Sequence, residues 1–160
     1  MTQTSPALER VYPPKLMFMI VNPIMRFLLG TGAGKRFSEL ARLEFTGRKT
    51  GKEYAVVTAI HDIDGRDAAL TNSGWRWNFQ GGREIVKVQS GKRERVQATL
   101  VTDPDEVARV YSSMIQELGV EDSPRRLGIR INVDGMPTHE QLVDLAEREG
   151  LSVVYLDPLR

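Results

Sequence analysis

The sequence predicts a mainly β protein with flanking helices, an α+β chain built on a small antiparallel barrel or sandwich. Three observations carry this expectation. Between residues 42 and 101, short runs of alternating apolar and polar residues follow one another. Tight-turn signals separate them: Asp64-Gly65, Asn72-Ser73-Gly74 and Ser90-Gly91-Lys92. Beyond Asp103 the apolar spacing becomes that of amphipathic helices.

The bulk composition sets the limits. A chain of 160 residues is long enough for one domain with a real core. Its 41% hydrophobic and 27% charged residues are ordinary for a globular protein. A net charge of +1 gives no general affinity for nucleic acid, so any basic site must be local. The absence of cysteine excludes disulfides, thiolate metal sites and a cysteine nucleophile, and fits a cytoplasmic protein. The first ten residues lack the basic start and apolar run of a signal peptide.

In chain order, residues 1–14 read as a flexible N-terminal arm, and 15–160 as a single domain with an apolar N-terminal helix and a C-terminal α/β extension. Residues 16–29 are the most hydrophobic stretch. Asn22 caps and Pro23 opens a short helix ending at Gly30. The stretch is too short and interrupted for a membrane span. It serves either as a core-covering helix or as a peripheral contact with membrane or lipid. The following Gly30-Thr31-Gly32-Ala33-Gly34-Lys35 is a helix stop and link. It lacks the Walker spacing, and it follows a helix where a dinucleotide fingerprint would follow a strand.

Strands are expected at 42–46, 54–61, 67–71, 84–89 and 93–101, with a short helical turn at 75–80. Asp103, Pro104 and Glu106 start a helix whose apolar stripe runs through Val107, Tyr111, Met114 and Leu118. Residues 121–126 read as a charged loop and 129–133 as a strand. Thr138 with Gln141 caps a second amphipathic helix, stopped by Gly150, and 153–156 is a last strand.

Two stretches carry candidate chemistry. Thr46-Gly47-Arg48-Lys49-Thr50-Gly51-Lys52 packs cations, hydroxyls and glycines into one turn between strands. That composition suits an anion such as phosphate, and equally a solvated hairpin turn. Asn72 to Phe79 sets Trp75 and Trp77 beside Ser73, Arg76 and Asn78, which suits a planar ligand, and equally a core plug. Both turns lie between barrel strands, so together they could hold a molecule with one anionic and one planar end. His61 and His139 lack ligand spacing, and no metal site is expected. No nucleophile elbow is present.

The segment Leu43-Glu-Phe-Thr-Gly-Arg-Lys-Thr-Gly-Lys52 resembles the hallmark of the deazaflavin-dependent nitroreductase family. Trp75-Arg-Trp-Asn78 resembles that family's Trp-x-x-Asn segment, and the likeness spans residues 20–101. The resemblance implies a split β-barrel, flavin-reductase/FMN-binding-like, that binds coenzyme F420. It implies hydride transfer from the reduced cofactor to a small electron-poor substrate such as a quinone or nitroaromatic. By the same likeness Arg48, Lys49, Thr50 and Lys52 would hold the phosphate side, with Gly47 and Gly51 permitting close approach. Asn72, Ser73, Trp75 and Asn78 would complete the cofactor site. Tyr54, Ser73 and Tyr111 are the candidate donors to charge developing on the substrate. Tyr54 stands where the family pattern has an arginine, and Val57 where it has a proline. The alternatives are an FMN-dependent oxidoreductase and a non-catalytic carrier of a cofactor or fatty acid on the same barrel. A homodimer is compatible with each.

Overall fold

The computed structural model describes residues 6–10 and 39–159. In chain order these form β1 (Leu8–Arg10), β2 (Leu40–Thr46), β3 (Glu53–Ala59), β4 (His61–Ile63), β5 (Arg66–Thr71) and a 3-10 turn (Gly74–Phe79). There follow β6 (Arg83–Gln89), β7 (Lys92–Val101), α1 (Pro104–Leu118), α2 (Ser123–Leu127), β8 (Ile129–Ile131), α3 (His139–Glu149) and β9 (Ser152–Pro158). The sequence suggests one domain over 15–160, whereas the chain forms two compact units, each with its own buried side chains. The N-terminal helix expected over 16–29, and the membrane or lipid contact assigned to it, lie outside the described residues. Among the described residues no helix is long and apolar enough to cross a membrane.

The larger unit is a seven-stranded sheet in the order β3-β2-β6-β7-β9-β5-β4. β2 pairs antiparallel with both β3 and β6, and β6 with β7. The period-2 alternation read in the sequence does the sorting. Ala41, Leu43 and Phe45 of β2 are buried, and so are Ile85 of β6 and Val96 and Ala98 of β7. Leu43, Phe45, Ile85, Val96 and Ala98, together with Phe79, Ala69, Val154 and Leu156, make one core.

The sheet curls into a half-barrel. β3, at one edge, packs against β5 from the other side. Lys87 of β6 is buried, and its Nζ donates to Asp67 Oδ2 on β5 at 2.7 Å, although β7 and β9 lie between these strands in the sheet. Curling brings the inner faces together, so a long cation can span them.

A second clasp joins β5 to β9. Arg66 donates from Nε and Nη2 to Asp157 at 3.0 and 2.8 Å and lies over the Tyr155 ring, 3.7 Å from its centroid. The hydrogen bond from Arg66 holds the Asp157 carboxyl below its ordinary pKa. A folded pKa below the unfolded one contributes stability above the ordinary carboxylate range, and that stability is lost as pH falls through the folded pKa. Asp157→Asn is therefore expected to lower the urea midpoint at neutral pH and to match the wild type in acid. An equal difference at every pH would refute this account of the clasp.

The smaller unit is built by α1 and α3, which pack on each other, and by the β1–β8 pair. Asp103 caps α1, its side chain accepting from Glu106 N at 3.2 Å. Thr138 and Gln141 form a reciprocal capping box on α3. The buried face of α1 contains Val107, Val110, Tyr111, Met114 and Ile115, as its spacing predicts.

Two local expectations need correction. Residues 8–10, inside the expected flexible arm, are a strand: Arg10 Nη1 donates to Leu127 O at 2.7 Å, Arg148 Nη2 to Leu8 O at 2.9 Å, and Asn132 N to Ala7 O at 2.8 Å. Three residues are too few to show a period, and their partners lie over a hundred positions away. The expected charged loop over 121–126 contains α2, opened by Pro124 and closed by Gly128 in the left-handed conformation.

Tyr111, one of the candidate donors, is sealed in this helical unit. Its Oη is buried and makes no hydrogen bond among the described residues. Burial pushes its pKa up to about 12, partly opposed by the charge of Arg10. An unpaired buried hydroxyl is a net cost to folding, so Tyr111→Phe is expected to be neutral or to stabilise by about 1 kcal/mol in urea unfolding. A loss beyond 1 kcal/mol would show that the hydroxyl is satisfied after all.

Candidate functional site

The candidate site is built from two turns at one end of the half-barrel. The first joins β2 to β3. Gly47 N donates to Lys52 O at 2.7 Å, and Gly51 N to Gly47 O at 3.0 Å, with Gly51 at φ +69°. That φ suits glycine. The β2–β3 register sets Phe45 opposite Tyr54, and their rings stack with centroids 5.8 Å apart. Tyr54 then lies directly over Gly47. A Cβ at position 47 would meet Tyr54 Cε2 at 2.6 Å and Thr50 Oγ1 at 2.9 Å. Any larger residue there would force the Tyr54 ring and the Thr50 hydroxyl to shift. The Tyr54 hydroxyl shares a hydrogen bond with Thr50 Oγ1 at 3.2 Å, which also accepts from Lys52 N at 3.3 Å.

The second turn follows β5. Phe79 is fully buried and meets Phe45 and Trp75 edge-on, at 4.9 and 5.8 Å between centroids. Arg76 is buried behind the turn. Its Nη1 donates to the carbonyls of Asn72 and Ser73 at 2.7 and 2.9 Å, and its guanidinium lies 4.4 Å from the centre of the Trp77 ring. Desolvation pulls its pKa below the ordinary arginine value. Trp77 is 46% exposed and Tyr54 41%, unusual for large rings beside a core.

The two turns touch. Arg48 N donates to Asn78 Oδ1 at 2.9 Å and Arg48 Nη1 to Trp77 O at 3.1 Å. Asn78 Nδ2 in turn donates to Trp75 O at 2.9 Å. Between the turns lies a cavity of 750 Å³. Phe45, Tyr54, Trp75 and Trp77 give it aromatic walls. Arg48, Lys49 and Thr50 give it a polar, cationic rim. Gly47, Gly74, Asn78 and Gln80 complete the lining.

Of the residues the sequence singles out, the structure brings Gly47, Arg48, Lys49, Thr50, Tyr54, Trp75 and Asn78 into this lining. It does not bring Gly51, Lys52, Asn72 or Ser73 there. Gly51 and Lys52 are exposed at the back of the basic turn, and Asn72 and Ser73 present their carbonyls to Arg76. Tyr111 belongs to the helical unit. Phe45, Gly74, Trp77 and Gln80 line the cavity beyond the residues assigned from sequence. The Trp75-x-Trp77 pair was a legible signal for Trp77, whereas Phe45 reads as an ordinary inward position of an alternating strand.

The donor set fits an anion at the rim. Lys49 is exposed, and the N–H groups of Lys49 and Thr50 make no hydrogen bond among the described residues. The walls offer ring faces and no charge. No group of three or more metal-ligating side chains occurs among the described residues. His139 instead sits at the start of α3, with Nε2 2.9 Å from Asp105 Oδ1, and His61 is buried.

No family model and no curated protein matches the sequence. Similar solved structures include HutZ, the heme storage protein from Vibrio cholerae, at 12% identity and TM-score 0.44, covering 79% of this chain and 86% of that one. The conserved hypothetical protein Rv2991 from Mycobacterium tuberculosis is 15% identical with TM-score 0.44, covering 98% and 87%. Atu2129 from Agrobacterium tumefaciens, a protein of unknown function, is 18% identical with TM-score 0.45, covering 94% and 58%. The fold assignment rests on the strand order and pairing described above.

Proposed function

We propose that the cavity binds a planar, anionic redox cofactor of the nucleotide type, coenzyme F420 or its counterpart FMN, and that the protein is a deazaflavin-dependent oxidoreductase. The observation that supports this reading is one 750 Å³ cavity lined jointly by the basic turn and the aromatic turn. A ligand with a charged end and a flat end matches such a lining.

Arg48 and Lys49, with the N–H groups of Lys49 and Thr50, would hold the phosphate. Trp75, Trp77, Tyr54 and Phe45 would flank the ring and exclude water from it. In its reduced form such a cofactor supplies a hydride to an electron-poor acceptor such as a quinone or nitroaromatic. The Tyr54 hydroxyl is the lining group from the sequence candidates that could donate a hydrogen bond to charge appearing on that acceptor. It shares a hydrogen bond with Thr50 Oγ1, and with Thr50 as the donor the Tyr54 O–H is left for that acceptor.

A second reading is a carrier that binds the same class of ligand without turnover. It draws on Tyr54, which stands where the family pattern has a phosphate-side arginine. Incubation with reduced F420 and menadione tests both readings. Oxidation of the deazaflavin, followed by its absorbance and dependent on the protein, is expected. Tight binding with no turnover would support the carrier and reject the enzyme.

A further inference from the structure

We infer that Asn78 is a positioning residue, one that fixes the two walls of the cavity as a single preassembled unit without itself being consumed by the ligand. The inference rests on the reading of this cavity as a ligand site, but its geometry stands apart from the ligand's identity. Each half of the Asn78 amide already has a partner. Its Oδ1 accepts from Arg48 N at 2.9 Å, in the basic turn, and its Nδ2 donates to Trp75 O at 2.9 Å, in the aromatic turn. One side chain thus bonds the backbones of both walls, thirty positions apart.

Arg48 closes the same junction from the other side, through Nη1 to Trp77 O at 3.1 Å. The junction forms a closed circuit. From Arg48 N it runs through the Asn78 amide to Trp75 O, along the 3-10 turn to Trp77 O, and back through the Arg48 guanidinium. A circuit of this kind sets the separation between the cationic rim and the ring faces. The flanking Lys49, Thr50 and Trp77 are exposed, and the backbone bonds of the basic turn stay within it. The ordering cost is met on folding, so a ligand needs to order less on binding.

This role differs from direct ligation, and the difference is measurable. A residue whose amide contacts the ligand leaves the free protein unchanged when removed. A residue that clasps the walls loosens the free protein first. Hydrogen exchange of the Arg48 amide is therefore the primary readout, in wild type, Asn78→Ala and Asn78→Asp. Asn78→Ala removes both bonds and is expected to accelerate exchange at Arg48 and its neighbours at least tenfold, with the global unfolding midpoint nearly unchanged. Asn78→Asp keeps the acceptor for Arg48 N and is expected to restore slow exchange at that amide. In the same variants, affinity for F420 and FMN is expected to fall about tenfold for Asn78→Ala, in step with exchange.

Unchanged exchange at Arg48 in Asn78→Ala would overturn the clasp. Faster exchange with unchanged affinity would overturn its positioning role. Failure of the wild type to bind either cofactor would instead reject the proposed function, and the exchange data would still decide the clasp. If Asn78→Ala does not fold cooperatively, Asn78→Asp against wild type carries the same comparison, with faster exchange around Trp75 as the expected result and identical exchange as the contrary one.

Discussion

Replacing Phe79 by alanine is expected to destabilise the half-barrel unit by about 3–5 kcal/mol and to abolish ligand binding in the cavity. Phe79 is fully buried, and its ring lies edge-on to Phe45 at 4.9 Å and to Trp75 at 5.8 Å. Both of those rings line the cavity. Removing the phenyl group leaves a void directly beneath the wall, and the two neighbours lose their shared contact. Urea unfolding measures the stability, and a loss below 1 kcal/mol would show that the site can collapse around the gap. Phe79→Leu is the milder control. It keeps most of the volume and is expected to cost a fraction of that amount.

The second large effect is electrostatic. Lys49→Ala is expected to weaken binding of an anionic cofactor by about 1.5–3 kcal/mol, roughly 10- to 150-fold, through loss of one charge-assisted contact. The loss should shrink at high salt, because Lys49 is exposed and screened. Arg48→Ala is expected to do more, since it removes a rim cation and also the bond to Trp77 O. Lys52→Ala, in the same turn but outside the lining, is expected to change affinity little. Equal losses for Lys49 and Lys52 would mean that the turn acts only as a diffuse positive patch.

Much of this site was legible in sequence as two separate stretches. The glycines and cations of 46–52 and the tryptophans of 75–77 each announce a turn with unusual chemistry. Their shared place between barrel strands suggested that they act together, but the contacts that join them were not legible, because those depend on how the strands curl. The curl is carried by residues that read as ordinary, such as Phe45, Lys87 and Asp67. Lys87 looks like a solvated strand residue; only the register, which sets it opposite Leu43, turns it inward. Asn78 reads as a ligand-binding residue, and its two backbone partners become visible only when both turns are in place. Tyr111 fits the core stripe of α1, where it lies, and the sequence gives no sign that its hydroxyl finds no partner among the described residues. The strands and capped helices followed from period and turn residues, while β1 and α2 were too short to leave a period.

The most direct test of the cofactor reading uses the protein's own fluorescence. The chain has two tryptophans, and both Trp75 and Trp77 line the cavity. Titration of the folded protein with F420, and in parallel with FMN, at moderate salt should quench this emission saturably, at one ligand per chain, with the midpoint shifted by Lys49→Ala. Unquenched emission with both cofactors, from protein that unfolds cooperatively, would contradict the account.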